Sequence, residues 1–238
     1  MKVFAISDLH LSINNPKPMD IFGGSWDNYW DKIKNNWNKV VCDNDIVLIG
    51  GDISWALKLE DAIPDLQEID TLPGKKVIIR GNHDYWWASY NKVKNILPKS
   101  IFAIQNNAIK FDEFVVCGTR GWTIPTTNST EQDKKIYARE LIRLKMTLDE
   151  AQKLSEDKLP IILMLHYPPF NALWQDSDFT DIIKQYPLVQ KVTYGHLHGK
   201  DCRTQDIILK NNIPYHLTSC DQVKNELQLI FNTENNKK

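Results

Sequence analysis

The chain has 238 residues, with 29 lysines and arginines against 30 aspartates and glutamates, and a formal charge of −1 with histidine neutral. That balance argues against a dedicated binder of nucleic acid or anionic membrane, which carries a basic excess. A hydrophobic content of 42% and a charged content of 25% argue against bulk disorder, and the length supports a real core in one large domain or two small ones.

Residues 3–7 read as a short buried strand, and Asp8 follows at once, so the first residues belong to the fold and not to a signal peptide. A helix is expected over 25–41, with Ser25 as N-cap and Trp26, Trp30, Ile33 and Trp37 on one core-facing stripe. A strand follows at 46–50, a helix at 59–72 with Pro64 in its first turns, a strand at 76–80 and a helix at 84–96. Short strands at 101–104, 108–111 and 114–118 come next. Asn106-Asn107 reads as a hairpin turn, because asparagine tolerates positive φ.

The longest helix is expected over 131–156. Tyr137, Leu141, Leu144, Leu148 and Ala151 form its apolar stripe, and Lys134, Arg139, Arg143 and Asp149 its polar face. Such a helix packs across a sheet, and could also border a site as a lid or dimer surface. Strands at 161–165, 191–194, 206–209, 215–219 and 227–231 complete the pattern, with a second hairpin turn at Asn211-Asn212. Early strand–helix alternation followed by hairpins indicates a layered α/β fold with two sheets and helices outside. One domain is expected over 1–232, with a disposable tail at 233–238.

No stretch approaches the roughly 18 apolar residues of a membrane span. The four cysteines form no CxxC pair, and no secretion signal precedes them, so thiolate metal sites and disulfides are not expected. A cytoplasmic location follows.

Chemistry collects at strand ends. Asp8-Leu9-His10, Gly51-Asp52, Gly81-Asn82-His83-Asp84, His166 and Gly195-His196-Leu197-His198 each follow a strand-like run, where α/β proteins build their sites. Residues two apart in extended chain point the same way, so Asp8 can act with His10 and His196 with His198. Carboxylate, imidazole and amide together suit divalent metals such as Mn²⁺, Fe²⁺ or Zn²⁺. Seven candidate ligands, Asp8, His10, Asp52, Asn82, His166, His196 and His198, exceed what one tetrahedral ion takes. Two ions sharing one carboxylate fit better. His216, inside a strand without neighbouring ligands, reads as structural.

The ordered series DxH, GD, GNHD, H and GHxH resembles the calcineurin-like metallophosphoesterases, and it spans most of the chain. The resemblance implies a four-layer αββα sandwich of two mixed β-sheets flanked by helices. It implies that Asp8, His10, Asp52 and His198 hold one metal, and that Asp52, Asn82, His166 and His196 hold the other. His83 would act as general acid or electrostatic partner, oriented by Asp84. Two features depart from the protein serine/threonine phosphatases: Ile53-Ser54-Trp55 follows Gly51-Asp52, and Asp84 replaces the usual Glu. A branch of bacterial predicted phosphohydrolases resembles the chain more.

The expected reaction is hydrolysis of a small phosphomonoester or phosphodiester by a water activated between the metals. A cyclic-nucleotide phosphodiesterase or a nuclease on the same site is the alternative, and a non-catalytic scaffold the least supported. Trp55, Trp86, Trp87, Trp122 and Trp174 are candidates to line a pocket that stacks a ring. Arg120 is a candidate to clamp a second phosphate.

Overall fold

A computed structural model describes residues 1–14, 16–199, 202 and 205–236. Among these residues, eleven strands form two mixed sheets. The first holds five, in the order β11 (Gln228–Asn232), β1 (Lys2–Ile6), β2 (Ile46–Ile49), β3 (Lys75–Ile78) and β4 (Ile101–Ala103). The second holds six, in the order β5 (Ala108–Lys110), β6 (Val115–Thr119), β7 (Ile161–Leu165), β8 (Val189–Tyr194), β10 (Ile213–Leu217) and β9 (Ile207–Lys210). In each sheet the central strands are parallel, and antiparallel pairing is confined to β11, β5 and β9 at the edges.

Period-two alternation decides the layering. In β1, Val3 and Ala5 face the second sheet and join Leu48, Val77, Val116, Ile162 and Met164 in an inner apolar layer. Phe4 and Ile6 face the other way, onto α1 (Tyr29–Val40), α2 (Ile63–Asp70) and α3 (Tyr90–Ile96), with Ile33, Trp37, Leu66 and Val93. Val115, Cys117, Leu163 and Val192 of the second sheet face α4 (Glu131–Ser155) and α5 (Asp178–Ile183). The result is helices, sheet, sheet, helices: the four-layer αββα sandwich.

Several local expectations change. Ser25 lies in a 3-10 turn, Gly24–Trp26, and α1 starts after Asn28, which adopts a left-handed conformation. Tyr90 starts α3, because residues 84–89 are drawn into the site loop. Asn107 precedes β5, but β4 and β5 lie in different sheets. Asn106-Asn107 is thus a crossing between layers, and the hairpin turn lies at 111–114. Asn211-Asn212 does turn the β9–β10 hairpin, both at positive φ. The sequence pattern missed α5, a six-residue helix with a capping box at Ser177.

The long helix has a true capping box at Thr130 and Asp133. Its buried face is not purely apolar, since Glu140 and Thr147 are fully buried beside Leu144 and Leu148. At the other end of the chain, Thr233 is buried, and its Oγ1 accepts from the N-terminal amine at 3.0 Å. Residues 237 and 238 of the expected tail lie outside the described residues. All four cysteines are free.

Candidate metal centre

Every sequence-predicted ligand sits just beyond the C-terminal end of a parallel strand. Asp8 and His10 follow β1, Asp52 follows β2, Asn82 follows β3, His166 follows β7, and His196 and His198 follow β8. The two sheets end at one rim, so these loops converge. Backbone bonds tie them together. Asp8 N–H donates to Gly51 O and His10 N–H to Asp52 O, both at 2.9 Å, and Gly195 N–H donates to His166 O at 3.0 Å.

The convergence forces the backbone. Asp8, His10, Asp52 and His196 all have φ between 47° and 71°, a region costly for residues with a Cβ. The loops also approach too closely for side chains at Gly51, Gly81 and Gly195. A Cβ on Gly81 would run into Asp52, and one on Gly195 into Ser7 and Asp8.

Asp8, His10, Asp52 and His198 offer ligand atoms that all lie within 4.8 Å of one another. Asp52 shows why they are there. Its Oδ1 accepts from the His83 N–H at 2.7 Å. Its Oδ2 is buried without a hydrogen-bond partner, yet stands 3.7 Å from His10 Nε2 and 3.5 Å from His166 Nε2. A buried orphan carboxylate oxygen is expensive. A cation between it and the imidazoles removes the cost.

The electrostatics agree. Burial, with the neighbouring Asp8 and Asp84 charges, pushes Asp52 up to about 9. Burial thus works against the ionised carboxylate, and added positive charge beside it would restore that form. Burial pushes His10 down to about 3, His196 to about 3 and His166 to about 4, so their lone pairs are free. His166 Nδ1 donates to Gly50 O at 2.9 Å, which leaves Nε2 as a lone pair. That lone pair lies 2.7 Å from Asn82 Oδ1, itself an acceptor. Two acceptors facing each other call for a cation.

His198 differs. Burial lowers its pKa, but Asp8 and Asp221 outweigh burial and raise it to about 10. Its Nε2 is 3.0 Å from Asp8 Oδ1 and its Nδ1 is 2.9 Å from Asp221 Oδ1. Asp8 is buried too, but His198 holds its carboxyl well below the ordinary range. The donor set therefore fits divalent metal ions, with a proton on His198 Nε2 as the species they would displace.

The family model for calcineurin-like phosphoesterase matches residues 1–200. The chain belongs to the calcineurin-like phosphoesterases. A curated relative, a probable cyclic nucleotide phosphodiesterase from Synechococcus sp., is 29% identical over 168 residues, which is 65% of this chain and 58% of that protein. The match thus spans less than two thirds of the relative's length. A protein of known structure from Thermus thermophilus aligns at TM-score 0.59 and 13% identity, over 97% of each chain, and so shares the fold.

Around the core of this phosphoesterase site, roles shift. Asp84 is fully buried, and its oxygens accept from the backbone N–H groups of Ile53 (2.8 Å), Ser54 (3.2 Å) and Gly81 (2.7 Å) and from Trp86 Nε1 (2.9 Å). Among the described residues no hydrogen bond joins it to the His83 imidazole. It locks the Asp52 loop to the Asn82 turn, and where burial lowers the His83 pKa the Asp84 charge opposes it. His83 is held by rings, with Trp55 at 4.8 Å and His10 at 5.7 Å between centroids.

Trp86 and Trp87 are buried in the first core, so neither lines an open pocket. They follow the motif because the loop doubles back under it. Trp55 is half-buried and stacks on His10 at 4.6 Å. Trp122 packs on Tyr167 at 5.2 Å, and Tyr167 on His196 at 4.1 Å. Arg120 lies over Trp122 at 4.7 Å, and its carbonyl accepts the N–H groups of His166 and Tyr167. Asp221, the residue behind His198, escaped the sequence reading. The available signal was its position a few residues beyond β10, at the same rim as the candidate ligands.

Proposed function

We propose that the chain is a metal-dependent hydrolase of small phosphoesters, with two divalent ions (Mn²⁺, Fe²⁺ or Zn²⁺). Asp8, His10, Asp52 and His198 would hold one ion, and Asp52, Asn82, His166 and His196 the other. The observation that carries this reading is the orphan Asp52 Oδ2 between His10 and His166. Such ions supply Lewis acidity and lower the pKa of water towards neutrality.

The chain's own groups do the rest. Asp52 Oδ1, pinned by the His83 N–H, keeps Oδ2 aimed at both imidazoles. Asp221 fixes the His198 ring from behind. Burial lowers the His83 pKa, so its imidazole is neutral with one N–H to donate. Half-exposed at the mouth, it can offer that proton to a phosphoryl or leaving-group oxygen.

A diester or monoester bearing a ring is the substrate class we favour. A pocket of about 560 Å³ opens beside His196, walled by Tyr167, Phe170, Trp174 and Ile124. That is the size and character of a site for a nucleoside-sized group. The name of the Synechococcus relative supports the cyclic-nucleotide alternative. No helix among the described residues is long and apolar enough to cross a membrane, and the free cysteines support a cytoplasmic location.

Metal-supplemented protein should be tested against phosphomonoesters, cyclic nucleotides, dinucleotides and single-stranded nucleic acid. Turnover of at least one small ester, lost in Asp52→Asn, is expected. Failure with every ester, at full metal occupancy, would overturn the proposal.

A further inference from the structure

A second pocket, of about 210 Å³, lies between the end of β6 and α4. Its charged lining is four arginines, Arg80, Arg120, Arg139 and Arg143, against a single carboxylate, Glu140. Glu140 is fully buried. Arg143 donates to its Oε1 at 2.6 Å, and Arg120 stands 3.8 Å from the same oxygen. Its Oε2 accepts from Thr119 Oγ1 at 3.1 Å.

That leaves positive charge over. Arg80 has no ion pair among the described residues, and its Nε is buried without a hydrogen-bond partner. Arg139, exposed at the mouth, has no ion pair among them either. Burial lowers the Arg120 pKa, and Arg80 and Arg143 act the same way against the opposing Glu140 charge. Arg80 is half-buried, and a guanidinium nitrogen cut off from both water and a partner is costly. Guanidinium forks match phosphoryl oxygens bidentately. The volume holds a phosphoryl group, and is too small for a nucleoside.

We propose that this arginine pocket binds a phosphoryl group separate from the one at the metal centre. Its place ties it to that centre. Arg80 directly precedes the Gly81-Asn82-His83 loop, and the Arg120 carbonyl anchors His166. An anion seated there would touch both halves of the site's scaffold. The occupant is either a second phosphate of the substrate or free inorganic phosphate.

The test begins with calorimetric titration of inorganic phosphate into the metal-loaded protein. Two phosphate sites per chain are expected. Arg80→Gln/Arg143→Gln should lose one of them, and Asp52→Asn the other. Glu140→Gln removes the one opposing charge and should tighten the arginine site by about tenfold, a gain that misfolding cannot produce. Unchanged stoichiometry and affinity in the arginine variant, or no gain in Glu140→Gln, would overturn the proposal. Because this arm reads binding, it stands or falls separately from hydrolysis.

Kinetics then distinguishes the sources. If the occupant belongs to the substrate, the arginine variant raises KM about tenfold or more for an ester carrying a second phosphate and leaves a single-phosphate ester unchanged. If it is free phosphate, both KM values hold, and added phosphate shifts the wild-type melting temperature more than the variant's, which keeps only the metal-centre site.

Discussion

The loop after β2 and the turn after β3 each bury an aspartate, and the two could hardly be treated more differently. Asp84 has four donors on its two oxygens. Asp52 has one donor on one oxygen, and the other, without a hydrogen-bond partner among the described residues, faces the His10 and His166 imidazoles. The same side chain is mortar in one place and an open valence in the other. Burial alone does not mark a functional carboxylate; an unfilled lone pair among converging lone pairs does. His216 sharpens the point. Its Nε2 is also buried and unpartnered, but no ligand cluster among the described residues includes it.

The contrast breaks most sharply at Asp52. Asp52→Asn keeps the shape and removes the charge, so kcat should fall on the order of 10³-fold. Bound metal, measured by plasma mass spectrometry, should fall with it. Full metal content with normal turnover would erase the distinction between the two aspartates.

Asp84→Ala should act through stability instead. It strands three backbone N–H groups and an indole, at a cost on the order of 3 kcal/mol or more. Denaturant melts check this. A stable variant with dead chemistry would make Asp84 a participant after all.

Asp221→Asn tests the next layer out. It leaves the His198 ring without its anionic brace and should weaken metal binding roughly 10- to 100-fold. Competition with a chelator gives the number, and circular dichroism should show an intact fold.

The smallest effect concerns His216. Burial, then Lys191, pushes it from 6.5 down to about 4. Between those values the unfolded chain takes up a proton that the native fold refuses. Its stabilising share is therefore complete above about pH 6.5 and lost as pH falls towards 4. The wild type should lose about 2 kcal/mol more than His216→Leu between pH 7.5 and pH 5. Parallel stability curves for the two proteins would refute this.

The strand-end candidates stood out because strand, turn glycine and polar side chain leave a local signature. The parallel strands pointed to one rim for the same reason. What lay hidden depended on layers meeting. Asn106-Asn107 looks the same whether the chain turns back in one sheet or crosses to another. Trp86 beside GNHD looks like a wall until the loop folds it under Asp84. Arg139 and Arg143 sit on the polar side of an amphipathic pattern, and only tertiary packing shows Glu140 buried between them. Asp221 carries no motif of its own, since its meaning comes from the His198 imidazole 23 residues away in sequence.

One arrangement also governs how such a site comes into being. The first sheet supplies Asp8, His10, Asp52 and Asn82, and the second supplies His166, His196 and His198. Asp8 and the His198 that pairs with it are 190 residues apart. During synthesis at about 5–20 residues per second, the first donors wait on the order of 10–40 s for the last. Until then only part of the proposed donor set has emerged, and a passing ion finds few donors to hold it. Metal capture is thus a late step in the life of each new chain, and it certifies that the two sheets have met.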